Sequence, residues 1–199
     1  MTQPVVRLAT PDDRDAVVAT ATAAFRNDPA FTYFFPDPSR YDREASVFLA
    51  YLFDKRVNKN LVWVSKNCEA TAMWDNPSTV AEWEHDSADD PLFLAAVEQL
   101  GGAAERIELY DGPVETLLPK SPYWYLGILA CHPEHAGQGL ARQVARAGLD
   151  AAAAAGLDSF LETTNPDNVG VYERSGWHVV HELEPIPGIP IWVLRQRPE

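Results

Sequence analysis

The chain of 199 residues carries a formal net charge of −13, and 46% of its residues are hydrophobic. That length fits one domain with a sizeable core. The acid excess disfavours a nucleic-acid partner, whose phosphates call for Lys and Arg, and attracts cations such as amines, although charge alone speaks first to solubility.

Two cysteines occur, Cys68 and Cys131, so no disulfide framework is expected. No apolar run approaches the ~20 residues of a bilayer span. The N-terminal Met-Thr-Gln-Pro lacks the basic and apolar regions of a secretory signal. His and Cys are scattered, which predicts no metal site. The expectation is a cytoplasmic protein without membrane segments, monomeric or homodimeric.

Val5–Leu8 reads as a short strand. Thr10-Pro11-Asp12-Asp13 supplies an N-cap, a proline at the first helical position and acids in the first turn of a helix running to about Phe25. Asn27-Asp28-Pro29 ends that helix, and the following "AFTYFFPDPSRY" is an aromatic cluster closed by Pro36 and Pro38. A second helix places Ala45, Phe48, Leu49, Leu52 and Phe53 on one face. Two strands follow, Leu61–Ser65 and Ala70–Trp74, with Asn67 near a tight turn, the second closing at Asn76-Pro77.

Residues 78–118 look helical and acidic, broken around Asp89-Asp90-Pro91 and at Gly101-Gly102. An aromatic and branched strand begins at Tyr123, and an Ala-rich helix with Leu140, Val144, Ala147 and Ala151 on one face stops at Gly156. Then come a strand at Ser159–Thr163, a short helix over about Asp167–Ser175, and strands at Trp177–Glu184 and Ile189–Leu194. There are no repeats and no domain linker. Strands and helices alternate through one mixed α/β layer structure over 1–199.

The turn His132-Pro133-Glu134-His135-Ala136-Gly137-Gln138-Gly139 stands where a helix would ordinarily receive a polar cap. The first amides of a helix have no intrahelical partner and carry the positive end of its dipole. Glycines let a pyrophosphate approach that backbone. The third glycine of a dinucleotide fingerprint is absent, because Arg142 stands three residues after Gly139, and no Gly-Lys-Ser/Thr loop is present. A simple turn and an anion cradle both remain open on these residues alone.

Ala136-Gly137-Gln138-Gly139-Leu140-Ala141 resembles the acyl-CoA signature of the GNAT acetyltransferases, with Ala136 where the family usually has Gln or Arg. "NPDNVGVYERSGW" resembles that family's second signature through Asn165, Tyr172 and Gly176-Trp177. "VRLATPDD", "FLETTNPDN" and "YERSGW" resemble its puromycin N-acetyltransferase branch. The resemblance implies a single GNAT-like domain with a mixed, mostly antiparallel central sheet and helices on both faces. The helical segment 78–118 is the part least shared, where an acceptor pocket would diverge.

The resemblance also implies roles. Acetyl-CoA is the co-substrate, its pantetheine arm along Leu129-Ala130-Cys131 and its pyrophosphate on the amides of Gln138, Gly139, Leu140 and Ala141. Arg142 and Arg146 are candidates for a CoA phosphate, and Asn165 for the CoA arm. Gly127, inside the strand, fits a bulge or close backbone approach. Tyr172 matches the tyrosine that protonates the departing thiolate. A phenol is protonated at neutral pH, whereas thiols titrate near ~8.5.

Glu162 is the nearest acid to act as base, with Glu82, Glu84 or a water as alternatives. Cys131 lacks an activating partner, and His132 and His135 shape the turn. Phe31, Tyr33, Phe34, Phe35 and Trp83 are candidates for an acceptor pocket, though each alone reads as core. The implied function is acetyl transfer to the primary amine of a small molecule by direct attack. The alternatives are acetylation of a protein N-terminus or lysine, and a non-catalytic acyl-CoA sensor.

Overall fold

The structure, a computed structural model, describes residues 6–83 and 91–198, with Trp83 described by its backbone alone. Val5, Glu84, Asp89 and Asp90 lie outside the described residues. The strands are β1 (Arg7–Leu8), β2 (Val62–Val64), β3 (Ala70–Asp75), β4 (Trp124–Cys131), β5 (Ser159–Thr163), β6 (His178–Ile186) and β7 (Ile189–Gln196). They form a 7-stranded sheet in the order β1-β2-β3-β4-β5-β7-β6. The β4–β5 neighbours run parallel; the other neighbouring pairs are antiparallel.

Helices α1 (Arg14–Ala24), α2 (Pro29–Phe34), α3 (Tyr41–Val57), α4 (Pro77–Trp83), α5 (Pro91–Leu100), α6 (Gly102–Glu115), α7 (Leu140–Ala154) and α8 (Pro166–Glu173) complete the domain. Successive strand side chains alternate between sheet faces, and β3 shows the consequence. Met73 joins a core with residues of α1, α2, α3, α5 and α6, while Ala70, Ala72 and Trp74 join a second core with Leu140, Val144 and Ala145 of α7. Helices therefore cover both faces.

The one glycine inside α7 is explained by this packing. A Cβ on Gly148 would stand 2.3 Å from the buried Trp74 indole, so a larger residue would force the helix off the sheet.

The aromatic segment after Asp28, read from the sequence as a cluster with no element assigned, contains α2. The Asp28 carboxylate accepts hydrogen bonds from the amides of Ala30 (2.9 Å) and Phe31 (3.2 Å), and Pro29 occupies the first turn. Asp28-Pro29 thus starts a helix as well as ending the preceding one. At Asn76 the side chain accepts from the amides of Ser78 and Thr79, both at 3.0 Å, and starts α4. Pro91 opens α5, and the break at Gly101-Gly102 separates it from α6.

Candidate functional site

Strands β4 and β5 pair only at Trp124↔Ser159 and Tyr125↔Phe160. Beyond these pairs both strands continue, β4 to Cys131 and β5 to Thr163, without pairing to each other. The sheet is therefore forked. The register of β4 against β3 shifts between Met73 and Trp74, which pair with Ile128 and Leu126 and leave Gly127 as the bulged residue. A cavity of about 700 Å³ occupies the fork. Its walls come from β4, β5 and α8 on the sheet side and from α2, α3, α5 and α6 above.

Glu162 and Tyr172, both singled out from the sequence, line this cavity. Glu162 accepts a hydrogen bond from the Tyr125 hydroxyl across the base of the fork. Burial pushes its carboxyl up to about 7, and the Tyr125 hydrogen bond acts in the opposite direction. The Tyr172 ring packs edge-on against Trp177, with centroids 6.2 Å apart. Burial, then the charges of Glu162 and Asp28, hold its phenol above the ordinary tyrosine range, so it stays protonated.

The cavity also holds Asp28, Asp111, Tyr125 and Asn168, none of which the sequence reading had placed there. Signals existed for two of them. Asp28 stands at a cap position before a proline. Asp111 lies between Glu108 and Glu115 at helical spacing, on one acidic face. Tyr125 reads as core in any aromatic strand, and its carboxylate partner lies 37 residues away.

The remaining candidates divide along β4 and the turn. Leu129 lines the cavity. The His132 amide bonds to the Glu69 carbonyl on the β3 side, and strand alternation then turns the amides of Leu129 and Cys131 to the open side of the fork and that of Ala130 to β3. The Cys131 thiol faces the carbonyls of His132 (3.7 Å) and His135 (3.5 Å), and burial raises its pKa. Such a thiol is a poor nucleophile. His132 accepts the Glu134 amide at 3.4 Å and so helps shape the turn.

Gly137 and Gly139 adopt φ values of +77° and +75°, a region open to glycine and strained for other residues. A Cβ at Gly137 would meet nothing within 4 Å, so this backbone conformation, more than crowding, calls for glycine. Gly139 caps α7, no side chain caps the helix start, and Ala136, Gly137, Gln138 and Gly139 are exposed. The first-turn amides, including those of Leu140 and Ala141, are thus open to an anion. That arrangement fits a pyrophosphate.

Arg142 is exposed and makes no hydrogen bond or ion pair among the described residues, whereas Arg146 is engaged with Asp150 at 2.6 Å. Asn165 caps α8 by accepting from the Asp167 amide at 3.0 Å, and Asn168 is the asparagine that lines the cavity. Glu82 sits at the cavity rim in an ion pair with Lys59. Phe31 and Phe34 contribute to both cavity wall and core, while Phe35 is core.

The acetyltransferase (GNAT) family profile matches residues 59–177 of this chain. Among solved structures, the chain is similar to a protein from Corynebacterium glutamicum described as histone acetyltransferase HPA2 and related acetyltransferase. Identity is 23%, coverage is 98% of this chain and 97% of that one, and the TM-score is 0.72. It is also similar to polyamine N-acetyltransferase of Drosophila melanogaster (15% identity, 97% and 99% coverage, TM-score 0.60). A third similar structure is arylalkylamine N-acetyltransferase 2 of Aedes aegypti (11% identity, 100% of both chains, TM-score 0.62). At these identities the structural likenesses establish the fold.

Proposed function

The chain belongs to the acetyltransferase (GNAT) family, and from that premise we propose that it transfers the acetyl group of acetyl-CoA to the primary amine of a small molecule by direct attack. The observation that carries this reading is the pairing, in one forked cavity, of a carboxyl poised at about 7 with a protonated phenol. An alkyl ammonium has a pKa near ~10 and must lose a proton to attack. A base poised near neutrality is suited to take it.

In this reading Glu162 takes a proton from the ammonium, and the neutral nitrogen bonds to the thioester carbonyl carbon. The C–S bond then breaks, and Tyr172 gives its proton to the departing sulfur. The second N–H proton of the adduct returns to the tyrosinate left when Tyr172 has protonated the sulfur. The first two transfers assist each other. Once Glu162 is protonated, its charge no longer raises the Tyr172 pKa. The departing thiolate, forming in the same partly enclosed cavity, holds a proton more firmly than it would in water. The CoA arm lies along Leu129 and Cys131, Ala130 contributing through the strand, and the pyrophosphate lies on the amides from Gln138 to Ala141 with Arg142 beside it. Asn165 acts as a helix cap near that arm.

Two similar structures bear the names of enzymes acting on polyamines and arylalkylamines, which supports a small-amine acceptor here. The motifs around Asn165 and Tyr172 favour a place near the puromycin N-acetyltransferase branch. Helices α5 and α6, within the divergent segment 78–118, wall the acceptor side of the cavity. A roofed cavity suits a small molecule better than a protein chain, and the Glu162–Tyr172 pair suits turnover better than sensing. The free cysteines, Cys68 and Cys131, fit a reducing cytoplasm.

Screening primary amines for acetyl-CoA-dependent thiol release tests the proposal, and release with at least one amine class is expected. Tight acetyl-CoA binding with no release for any amine would replace the enzyme by a sensor. Turnover confined to peptides would replace the acceptor.

A further inference from the structure

The charges lining the cavity are of two kinds. Asp54 and Glu82 are engaged by Arg14 and Lys59, and Arg56 is engaged by the buried Asp75. The others are carboxyls facing a single cation, Lys55. Asp28 is committed to the α2 amides and to Thr164. Glu162 holds the Tyr125 hydroxyl. Asp111, on α6 above the fork, has neither a hydrogen bond nor an ion pair to any described residue, although it lines the cavity and feels the charges of Glu162 and Lys55 across it.

A carboxyl in that position is costly for the free protein. Burial and the negative charges of Glu162, Glu115 and Glu108 drive its pKa well above the ordinary range. Lys55 acts in the opposite direction but comes last among these influences, and its own ammonium is held down to about 8 by burial. Asp111 is half-buried, open to the cavity, and polar groups so enclosed are ordinarily satisfied. It has no hydrogen-bond or ion-pair partner among the described residues, and the cavity before it is wide enough for one. The same cavity is lined by the aromatic side chains of Phe31, Phe34 and Phe93, which suit methylene groups better than polar ones.

We propose that the acceptor is a compact dication, a primary amine carrying a second cationic group on a short apolar spacer, with Asp111 holding the second cation while the reacting amine lies at Glu162. This rests on the acetyl-transfer reading above and adds a specificity residue to it. The distal ammonium or guanidinium supplies a partner for Asp111, and the spacer meets the aromatic lining. An amine without that second charge leaves an enclosed carboxyl unpaired, a penalty a site applies strongly against analogues that lack the matching group.

The test compares diaminobutane with butylamine, which share the reacting amine and the spacer and differ only in the distal charge. The wild-type protein should favour the diamine by at least about tenfold in kcat/KM, the worth of one charge-assisted contact. In Asp111→Asn the ratio between the two should collapse toward unity. In Asp111→Glu, whose charge reaches one methylene further, the preferred diamine should shorten toward diaminopropane.

Equal kcat/KM for the two amines in the wild type would overturn the proposal, as would a preference that survives in Asp111→Asn. If neither amine is acetylated, the wider amine screen decides the acetyl-transfer reading, and calorimetric binding of the same two amines decides the acceptor site. An Asp111-dependent preference for the diamine upholds the site, and equal binding removes it. Should Asp111→Asn fail to fold, the spacer shift in Asp111→Glu carries the decision.

Discussion

The Tyr125 hydroxyl donates a hydrogen bond to Glu162 at the point where β4 and β5 part company. The bond joins the last paired position of one strand to the proposed base on the other, and it opposes the burial that raises the Glu162 carboxyl. Burial raises the base, and this bond offsets part of the rise. With Glu162 at about 7, kcat/KM should fall as pH drops below neutrality, by about tenfold per unit on the acid limb. Tyr125→Phe removes a stabiliser of the ionised form, so that limb should move to higher pH by roughly half to one unit, the worth of one hydrogen bond. An unmoved limb in a folded variant would detach Glu162 from the proton transfer.

Glu162→Gln should lose activity and gain stability. The folded carboxyl titrates above its ordinary 4.5, so the proton binds more tightly in the folded protein. Its contribution to stability is complete below the unfolded pKa and is lost as pH rises through about 7. Above that point the wild type carries a deficit of up to about 3 kcal/mol, at about 1.4 kcal/mol per unit. Thermal unfolding should show Glu162→Gln melting above the wild type in mild alkali, with the gap closing toward pH ~4.5. A variant less stable at both ends would mean that Glu162 serves the fold and not the reaction.

Tyr172→Phe keeps the ring and its contact with Trp177 while deleting the hydroxyl. A positioned acid contributes ~10²–10⁴-fold, and that loss should appear in single-turnover acetyl transfer with acetyl-CoA binding largely retained. Single-turnover rates are needed because product release limits many enzymes. A wild-type rate would leave the phenol with a packing role only.

The two arginines of α7 make a matched pair for testing the proposed CoA site. Arg142 is unengaged, and Arg146 is tied to Asp150. Arg142→Ala should weaken acetyl-CoA binding by roughly ten- to a hundredfold, the range of a lost charge-assisted hydrogen bond. Arg146→Ala should change it far less. This pair is a cleaner probe than replacing Gly139, whose φ of +75° would strain any other residue regardless of ligand. Calorimetry giving equal losses for both arginines would reduce the effect to general charge.

Legibility in the sequence followed the range of the interactions involved. The glycine turn, the start of α7 and its stop at Gly156 were readable because each depends on residues within a few positions. Tyr172 was readable from a contiguous motif. The helix α2 was missed although its signal was present, because Asp28-Pro29 reads equally as an end and as a beginning. Tyr125 gave no usable local signal, and the acidic face that carries Asp111 gave one that does not tell a site from a solvated helix. An aromatic on a buried strand and an acid on an acidic helix are what packing and solvation already predict.

The sequence by itself determined the order of elements apart from α2, the uncapped glycine start of α7 and the net negative charge, because backbone conformation, helix capping and composition are local properties. The tertiary structure decided which carboxyls meet. It forks β4 from β5, lowers α6 over the opening and brings Asp111 into the same cavity as Glu162. Desolvation acts there on groups that are far apart in the chain, so the raised carboxyls of Glu162 and Asp111 belong to the fold and not to any segment of the sequence.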